Sequence, residues 1–305
     1  MMESSMRPYD LCVRWIKSRE AVRVARLADD DALSDDPVIR EYSFCNVRRE
    51  DDRVTRWIKE NVRERFAGHP LLWLMLCACR QINWPDAIAE LIELRAWYDN
   101  RSFDPTDMGH VLQARADRGD KTFTGAYIIT APSVKGARKA KHVAERTLGN
   151  LWRDRARIEL LFGACDERGD YIARRPRLEE VHARLKQYDG WGDFMAYQAV
   201  VDMRFTPLLD AAEDRDRWAA AGPGTVRGLN RLAGRDLKAK PDQHVALREL
   251  RALHPRLVAD SGVEMDFSDV PNVMCETDKY LRVLNGEGKP RAKYLPPSMR
   301  KKEAA

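Results

Sequence analysis

The sequence predicts a mainly α-helical fold, large enough for two lobes, with at most one small β element. Three observations lead there. Apolar residues recur at three- and four-residue spacing through most of the chain, the period of a half-buried helix. Helix-start signals precede several of these runs, as where Pro85 opens the amphipathic stretch Ala87–Tyr98. Only Thr122–Ala131, with its Phe, Thr, Tyr and Ile residues, reads as extended. The 305 residues suffice to bury a full core, in one large domain or in two lobes.

Taken in order, Leu11–Leu27 reads as an amphipathic helix whose Arg14, Lys17, Arg19, Arg23 and Arg26 form a solvated row, or one resting on a phosphate backbone. Asp29–Pro37 is acidic and breaks the pattern, with Ser34 or Asp35 as the expected cap of the next helix. A signature helix is expected over Glu41–Ile58, ending near Arg65. A buried helix spans about Pro70 to Ile82, and its Cys77 and Cys79 belong in the core rather than on zinc. Asp104–Ala116 continues as helix, and Lys135–Gly163 is basic and helical. Pro176–Gln187 and Phe194–Leu209 come next. Residues 1–36 read as an N-terminal helical arm, 37–285 as the catalytic body, and 286–305 as a flexible basic tail punctuated by Pro and Gly.

Composition excludes several classes. No apolar run approaches the length of a membrane span and no signal-peptide core is present, so a cytoplasmic protein is expected. The six cysteines lack framework spacing and should be reduced. Net charge is only +5, but 53 Lys and Arg residues permit basic patches suited to nucleic acid. There is no Gly-x4-Gly-Lys-Ser/Thr loop, no dinucleotide fingerprint and no deaminase zinc pattern.

The stretch Glu41–Ile58 concentrates the charge. At helical spacing Phe44, Val47, Val54 and Ile58 share a face, and Asp51 falls inside that arc with Arg48 one turn earlier. Asn46, Arg49, Arg53 and Trp57 take the other side. A carboxylate on a buried face needs a partner. Either Arg48–Asp51 is a structural pair beside a solvated basic stripe, or the cluster binds an anion. Farther on, Gln198 and Asp202 sit four apart among apolar neighbours, as a candidate base or as a local hydrogen-bonded pair. Tyr127 beside Gly125 could stack on a base or simply pack. Glu276–Lys279 reads as a surface bridge or as part of a site.

Four motifs together resemble the α-glutamyl/putrescinyl thymine pyrophosphorylase family, which includes phage amino acid:DNA transferases and the helical domain of hydroxymethyluridine DNA kinases. They are Tyr42-Ser-Phe-Cys-Asn-Val-Arg-Arg-Glu-Asp-Asp-Arg-Val-Thr, Phe123-Thr-Gly-Ala-Tyr127, Gly222-Pro-Gly-Thr-Val-Arg-Gly228 and Cys275-Glu-Thr-Asp-Lys-Tyr280. The likeness runs from about residue 37 to 285. It implies a fold related to helical DNA glycosylases, with Gly222, Gly224 and Thr225 in a helix-hairpin-helix. The free N–H groups of that hairpin, with Arg227 and Arg231, would face a DNA phosphate. Where lyase-type glycosylases carry a catalytic lysine this chain has Val226, which excludes a Schiff base there. Asp242 lies roughly where their aspartate would be.

The resemblance also implies a reaction: an amine, from an amino acid such as glycine or from a polyamine, replaces pyrophosphate on a 5-pyrophosphoryloxymethyl-uracil in double-stranded DNA. Arg48, Arg49 and Arg53 would then hold the departing pyrophosphate, with Asp51 or Asp52 holding the arginines. Asp202, Glu276 and Asp278 are the candidate bases, with Lys279 beside them. Asn46, Gln198 and Tyr127 would contact the base, and Cys45 or Cys275 would add to it or simply pack. No metal ligand set is evident, and a need for Mg2+ stays open. A monofunctional base glycosylase and a non-enzymatic reader of modified DNA are the competing readings.

Overall fold

The computed structural model describes residues 6–28, 31, 34–94, 102–125, 127, 138–163, 175–296 and 298. It is mainly helical, as the sequence predicts. The helices are α1 (Pro8–Leu27), α2 (Pro37–Glu41), α3 (Arg53–Ile58), α4 (Leu72–Ile82), α5 (Pro85–Glu93), α6 (Pro105–Asp117) and α7 (Lys139–Lys141). After these come α8 (Gly149–Arg153), α9 (Arg155–Glu159), α10 (Leu178–Leu185), α11 (Asp193–Met203), α12 (Pro223–Leu232), α13 (Gln243–Ser261) and α14 (Val270–Leu284). Two compact units result: Met1–Asp52 joined with Ala219–Ala305, and Arg53–Trp218. Among the described residues no helix is long and apolar enough to cross a membrane.

The first unit is organised on α14, which touches α1, α2, α12 and α13. Nine of its residues are buried, including three polar ones, Glu276, Thr277 and Asp278. On α1 the buried stripe Leu11, Cys12, Trp15, Ile16, Arg19, Val22 has helical spacing. The N-terminal segment is therefore part of this core rather than an arm beside it. Two glycines let α12 lie close on α14. A Cβ at Gly228 would stand 2.2 Å from the Met274 carbonyl oxygen, and one at Gly224 would stand 2.3 Å from Cys275 Sγ. Thr225 Oγ1 donates to the Pro271 carbonyl at 2.9 Å and fixes the register.

Three expectations change here. The cap of α2 is Asp36, whose Oδ1 takes the N–H groups of Val38 and Ile39 and whose Oδ2 takes the Tyr280 hydroxyl at 2.5 Å. No helix-hairpin-helix forms, because residues 204–222 between α11 and α12 are turns and extended chain. The Gln243 side chain holds that extended chain by bonding both the N–H (3.1 Å) and the C=O (3.0 Å) of Ala221. Part of the basic tail is fastened: Tyr42 and Lys293 form an antiparallel bridge, with Ser43 N donating to Ala292 O and Tyr294 N to Glu41 O. Arg300, Lys301 and Lys302 lie outside the described residues.

The second unit is built around α4, every residue of which is buried. It packs on α11, with nine buried residues of its own. Cys77 and Cys79 are core residues, as expected. Asp104 caps α6 through the N–H groups of Thr106 and Asp107. Of the expected extended segment, Thr122–Gly125 and Tyr127 are described and form no strand; the rest falls outside the described residues.

Candidate active site

The expected signature helix is absent over residues 42–52. Glu41 ends α2, residues 42–48 are irregular, Arg49–Asp51 is a single 3-10 turn, and α3 begins at Arg53. The physical reason is a set of competing tertiary hydrogen bonds. Cys45 N–H donates to Glu276 Oε2 at 3.0 Å, Asn46 N–H to Asp52 Oδ1 at 3.1 Å, and Arg49 N–H to Asp269 Oδ1 at 2.9 Å. On the acceptor side, Arg19 Nε donates to the carbonyls of Phe44 and Cys45, and Asn272 Nδ2 donates to that of Asn46. Side chains of α1, α14 and the turn before α14 thus take the backbone groups a helix would have used.

This wrapping creates a polar cluster inside the first unit. Asn46 is fixed on all sides: its Oδ1 accepts from Arg19 Nη2, and its Nδ2 donates to Asp51 O at 2.9 Å and Asp52 Oδ1 at 3.0 Å. Burial pushes the Asp52 carboxyl up from its ordinary value; Asn46, Arg49 and Arg19 oppose that push and Glu276 adds to it. Asp52 keeps some exposed surface, yet protein crowds it closely enough that desolvation dominates. Asp269 is pushed up to about 7 by burial, despite the N–H groups of Arg49 and Asp266. Glu276, 6% exposed, also pairs with Lys279 at 2.6 Å, and the Lys279 ammonium lies 4.5 Å from the Phe44 ring centroid. That bridge belongs to a buried cluster rather than to the open surface.

Arg49 stands apart from the other expected arginines. Its Nε and Nη2 are buried and find no acceptor among the described residues. Arg48 turns away, pairing with Glu20 (2.9 Å) and Asp51 (2.7 Å), and Arg23 joins the same two carboxylates. The structural reading of Arg48–Asp51 is therefore the one observed. Arg53 opens α3 in the second unit and is exposed. Within the first unit, Arg48 and Arg49 thus do not form the expected common cradle.

The α12 residues also take structural partners. Arg227 and Arg231 bind opposite oxygens of Asp278, at 2.9 and 2.7 Å, and Arg231 also holds Glu287. Asp278 is thereby clamped. Thr225 is committed to Pro271, and Gly224 and Gly228 serve close helix packing rather than a phosphate loop. Asp242 caps α13 through His244 N at 2.7 Å.

Cys45 and Cys275 keep exposed surface rather than packing away, yet crowding shifts both thiols toward the neutral form. Cys45 is raised well above its ordinary value by the Glu276 charge, then by burial and Asp52. Cys275 is pushed up to about 11 by burial and Glu276. A thiolate attacking the base is disfavoured on both.

In the second unit, Asp202 is fully buried and bound by Arg80 through Nε and by Nη2 at 2.6 Å. Thr55 and Asn83 take further Arg80 donors. Its partner is this arginine rather than Gln198. Gln198 instead accepts from the Tyr127 hydroxyl at 3.2 Å, and the Tyr127 ring meets the exposed Phe194 edge-on at 5.1 Å.

The description "5-hmdU DNA kinase, helical domain" matches residues 7–289 of the chain. The chain belongs to this family. Over 207 residues it is 24% identical to a 5-hmdU DNA kinase of Bacillus phage SP10, an alignment covering 64% of this chain and 31% of that protein. The chain thus spans about a third of that relative's length. No solved structure matches it.

Sequence reasoning missed Arg19, Asp269 and Asn272. Arg19 was detectable, since it lies four residues from Trp15 and three from Ile16 on the apolar stripe. Asp269 belongs to an Asp-x-x-Asp capping box with Asp266, a local pattern that is also legible. Asn272 carries no such signal. Among the described residues no group of three or more His, Cys, Asp or Glu side chains is arranged to hold a metal.

Proposed function

We propose that this chain is a DNA thymine-hypermodification transferase: it replaces the pyrophosphate of a 5-pyrophosphoryloxymethyl-uracil in double-stranded DNA with the amine of an amino acid or polyamine. The observation that carries the reading is the Arg49 guanidinium, whose charge acts on both Asp52 and Asp269 and whose Nε and Nη2 are buried without an acceptor among the described residues. Leaving such donors buried and unpaired costs about 1–3 kcal/mol. A phosphate-type oxygen is their natural acceptor, and guanidinium donors aimed at a leaving pyrophosphate stabilise the charge it gathers.

Family membership supports the same reading. The phage relative is named for a kinase of 5-hydroxymethyl-deoxyuridine DNA. Phosphorylation turns a hydroxymethyl group into a substrate for displacement. A helical domain without a nucleotide-binding loop is suited to the displacement rather than to the phosphorylation. The site would take the base turned out of the duplex, since its exocyclic carbon must meet a second reactant.

The test is incubation of the chain with duplex DNA carrying the pyrophosphorylated base and a panel of amino acids and polyamines, with and without Mg2+. Mass spectrometry of the digested DNA should show a gain of amine mass, matched by released pyrophosphate. A free base with an abasic site would establish a glycosylase instead. Tight binding of modified duplex without any chemistry would establish a reader.

A further inference from the structure

We propose that Asp52 is the proton acceptor for the incoming amine, oriented by the relay Arg19–Asn46. The inference rests on the transferase reading. That reaction needs a carboxylate held in place by one oxygen and open at the other. The other candidate carboxylates are either engaged on both oxygens or already matched by a cation. Asp278 has an arginine on each oxygen. Asp269 has a backbone N–H on each. Asp51 Oδ2 lies between Arg48 and Arg23. Glu276 carries the Lys279 ammonium on the oxygen that also takes Cys45 N–H, so its charge is already matched by a cation. Asp202 is in the other unit, saturated by Arg80.

Asp52 meets the requirement. Both of its hydrogen bonds, from Asn46 N and Asn46 Nδ2, end on Oδ1, and Oδ2 has no donor among the described residues. Asn46 cannot turn, because Arg19 holds its amide oxygen and Asp51 O holds its amide hydrogen. Arg19 is itself 4% exposed and anchored on the Phe44 and Cys45 carbonyls. The charged and titratable groups facing Asp52 are Arg19 from α1, Arg49 from the 3-10 turn, Glu276 from α14, and Cys45 beside Asn46. Crowding by protein and by Glu276 makes the carboxylate more basic than a surface aspartate.

Atoms and electrons balance across the step. The ammonium of the co-substrate gives one proton to Asp52 Oδ2. The freed nitrogen lone pair forms the N–C bond to the exocyclic methylene as the C–O bond breaks, and that electron pair leaves with pyrophosphate. The secondary ammonium so formed then loses its second proton to water.

The test compares two nucleophiles on the pyrophosphorylated duplex at neutral pH: glycine, whose amine must be deprotonated, and hydroxylamine, which is already neutral. Asp52→Asn should lose transfer of glycine by about 100-fold or more, the low end for general base catalysis, and transfer of hydroxylamine by less than about tenfold. Asp52→Glu should recover part of the glycine rate, and Asp52→Ser carries the same split if the amide variant does not bind duplex. Equal loss with both nucleophiles, no loss with either, or the same split on Glu276→Gln would each overturn Asp52 as the acceptor. A wild-type chain that joins neither nucleophile overturns the transferase reading itself, a result distinct from all of those.

Discussion

Two arginine–aspartate groups, one in each unit, use the same residue types and reach opposite outcomes. In the second unit Arg80 engages every nitrogen: Nε and Nη2 on Asp202, Nη2 also on Thr55, and Nη1 on Asn83. Burial alone would lower the Arg80 pKa, yet the Asp202 charge and its hydrogen bonds raise it above the ordinary value. In the first unit, among the described residues, Arg49 has no acceptor at Nε and Nη2, and Asp52 has no donor at one oxygen. A saturated pair has nothing left to offer a ligand and fixes how α4 meets α11. An unsaturated one is costly to a resting fold and gains when an anion and an amine arrive. What separates the two groups is unused hydrogen-bonding capacity, the feature on which the proposed site rests.

The comparison breaks first at Arg80. Arg80→Met leaves the Asp202 charge buried alone and should destabilise the second unit by about 3–5 kcal/mol in urea titrations, whereas Arg80→Met with Asp202→Leu recovers most of that loss. Should the single variant melt like the wild type, the saturated pair is not structural. Arg49→Met gives the complementary result. Removing donors that have no partner should leave the melting curve nearly unchanged, while amine transfer falls by roughly 10²–10³-fold. A loss of stability larger than the loss of turnover would move Arg49 into the structural class.

A smaller effect sharpens the role of α12. Gly228→Ala drives a methyl into the Met274 carbonyl and should cost about 1–3 kcal/mol, with salt dependence of duplex binding unaltered. A changed salt slope would return this turn to phosphate binding.

A fourth effect is a pH dependence. The folded Asp269 carboxyl titrates at about 7, above its unfolded value of about 4. The folded state therefore binds the proton more tightly. The stability this group contributes is complete below pH ~4 and is lost as pH rises through 7. Between those limits the wild type should lose stability relative to Asp269→Asn as pH rises, measured by chemical denaturation at each pH. A constant difference would show that Asp269 is charged throughout.

Much of the fold was legible because local signals agreed with tertiary demands. The apolar run before Ile82 is a buried helix, Pro85 and Asp104 open helices where expected, and α12 starts at Pro223. The site was legible only in part. Asn46, Arg49, Asp52, Glu276 and Lys279 come together, but Arg48, Asp202, Asp278 and Arg231 are drawn off by partners. Periodicity placed Asp51 on an apolar helical face, and no helix exists there. A pattern read along the chain is blind to donors and acceptors arriving from residues more than two hundred positions away.

The sequence by itself determined the helical class, the position of the main helices and the family. The first two follow because helix propensity, capping and apolar spacing act within one or two turns, and the family follows from the resemblance of the four motifs. Tertiary structure alone decided that residues 42–52 leave the helix, that Arg19 is buried, and that Arg49 keeps two buried donors without an acceptor among the described residues. Those outcomes come from competition for hydrogen bonds between α1, α14 and one irregular strap, and that competition begins only once the chain has folded around them.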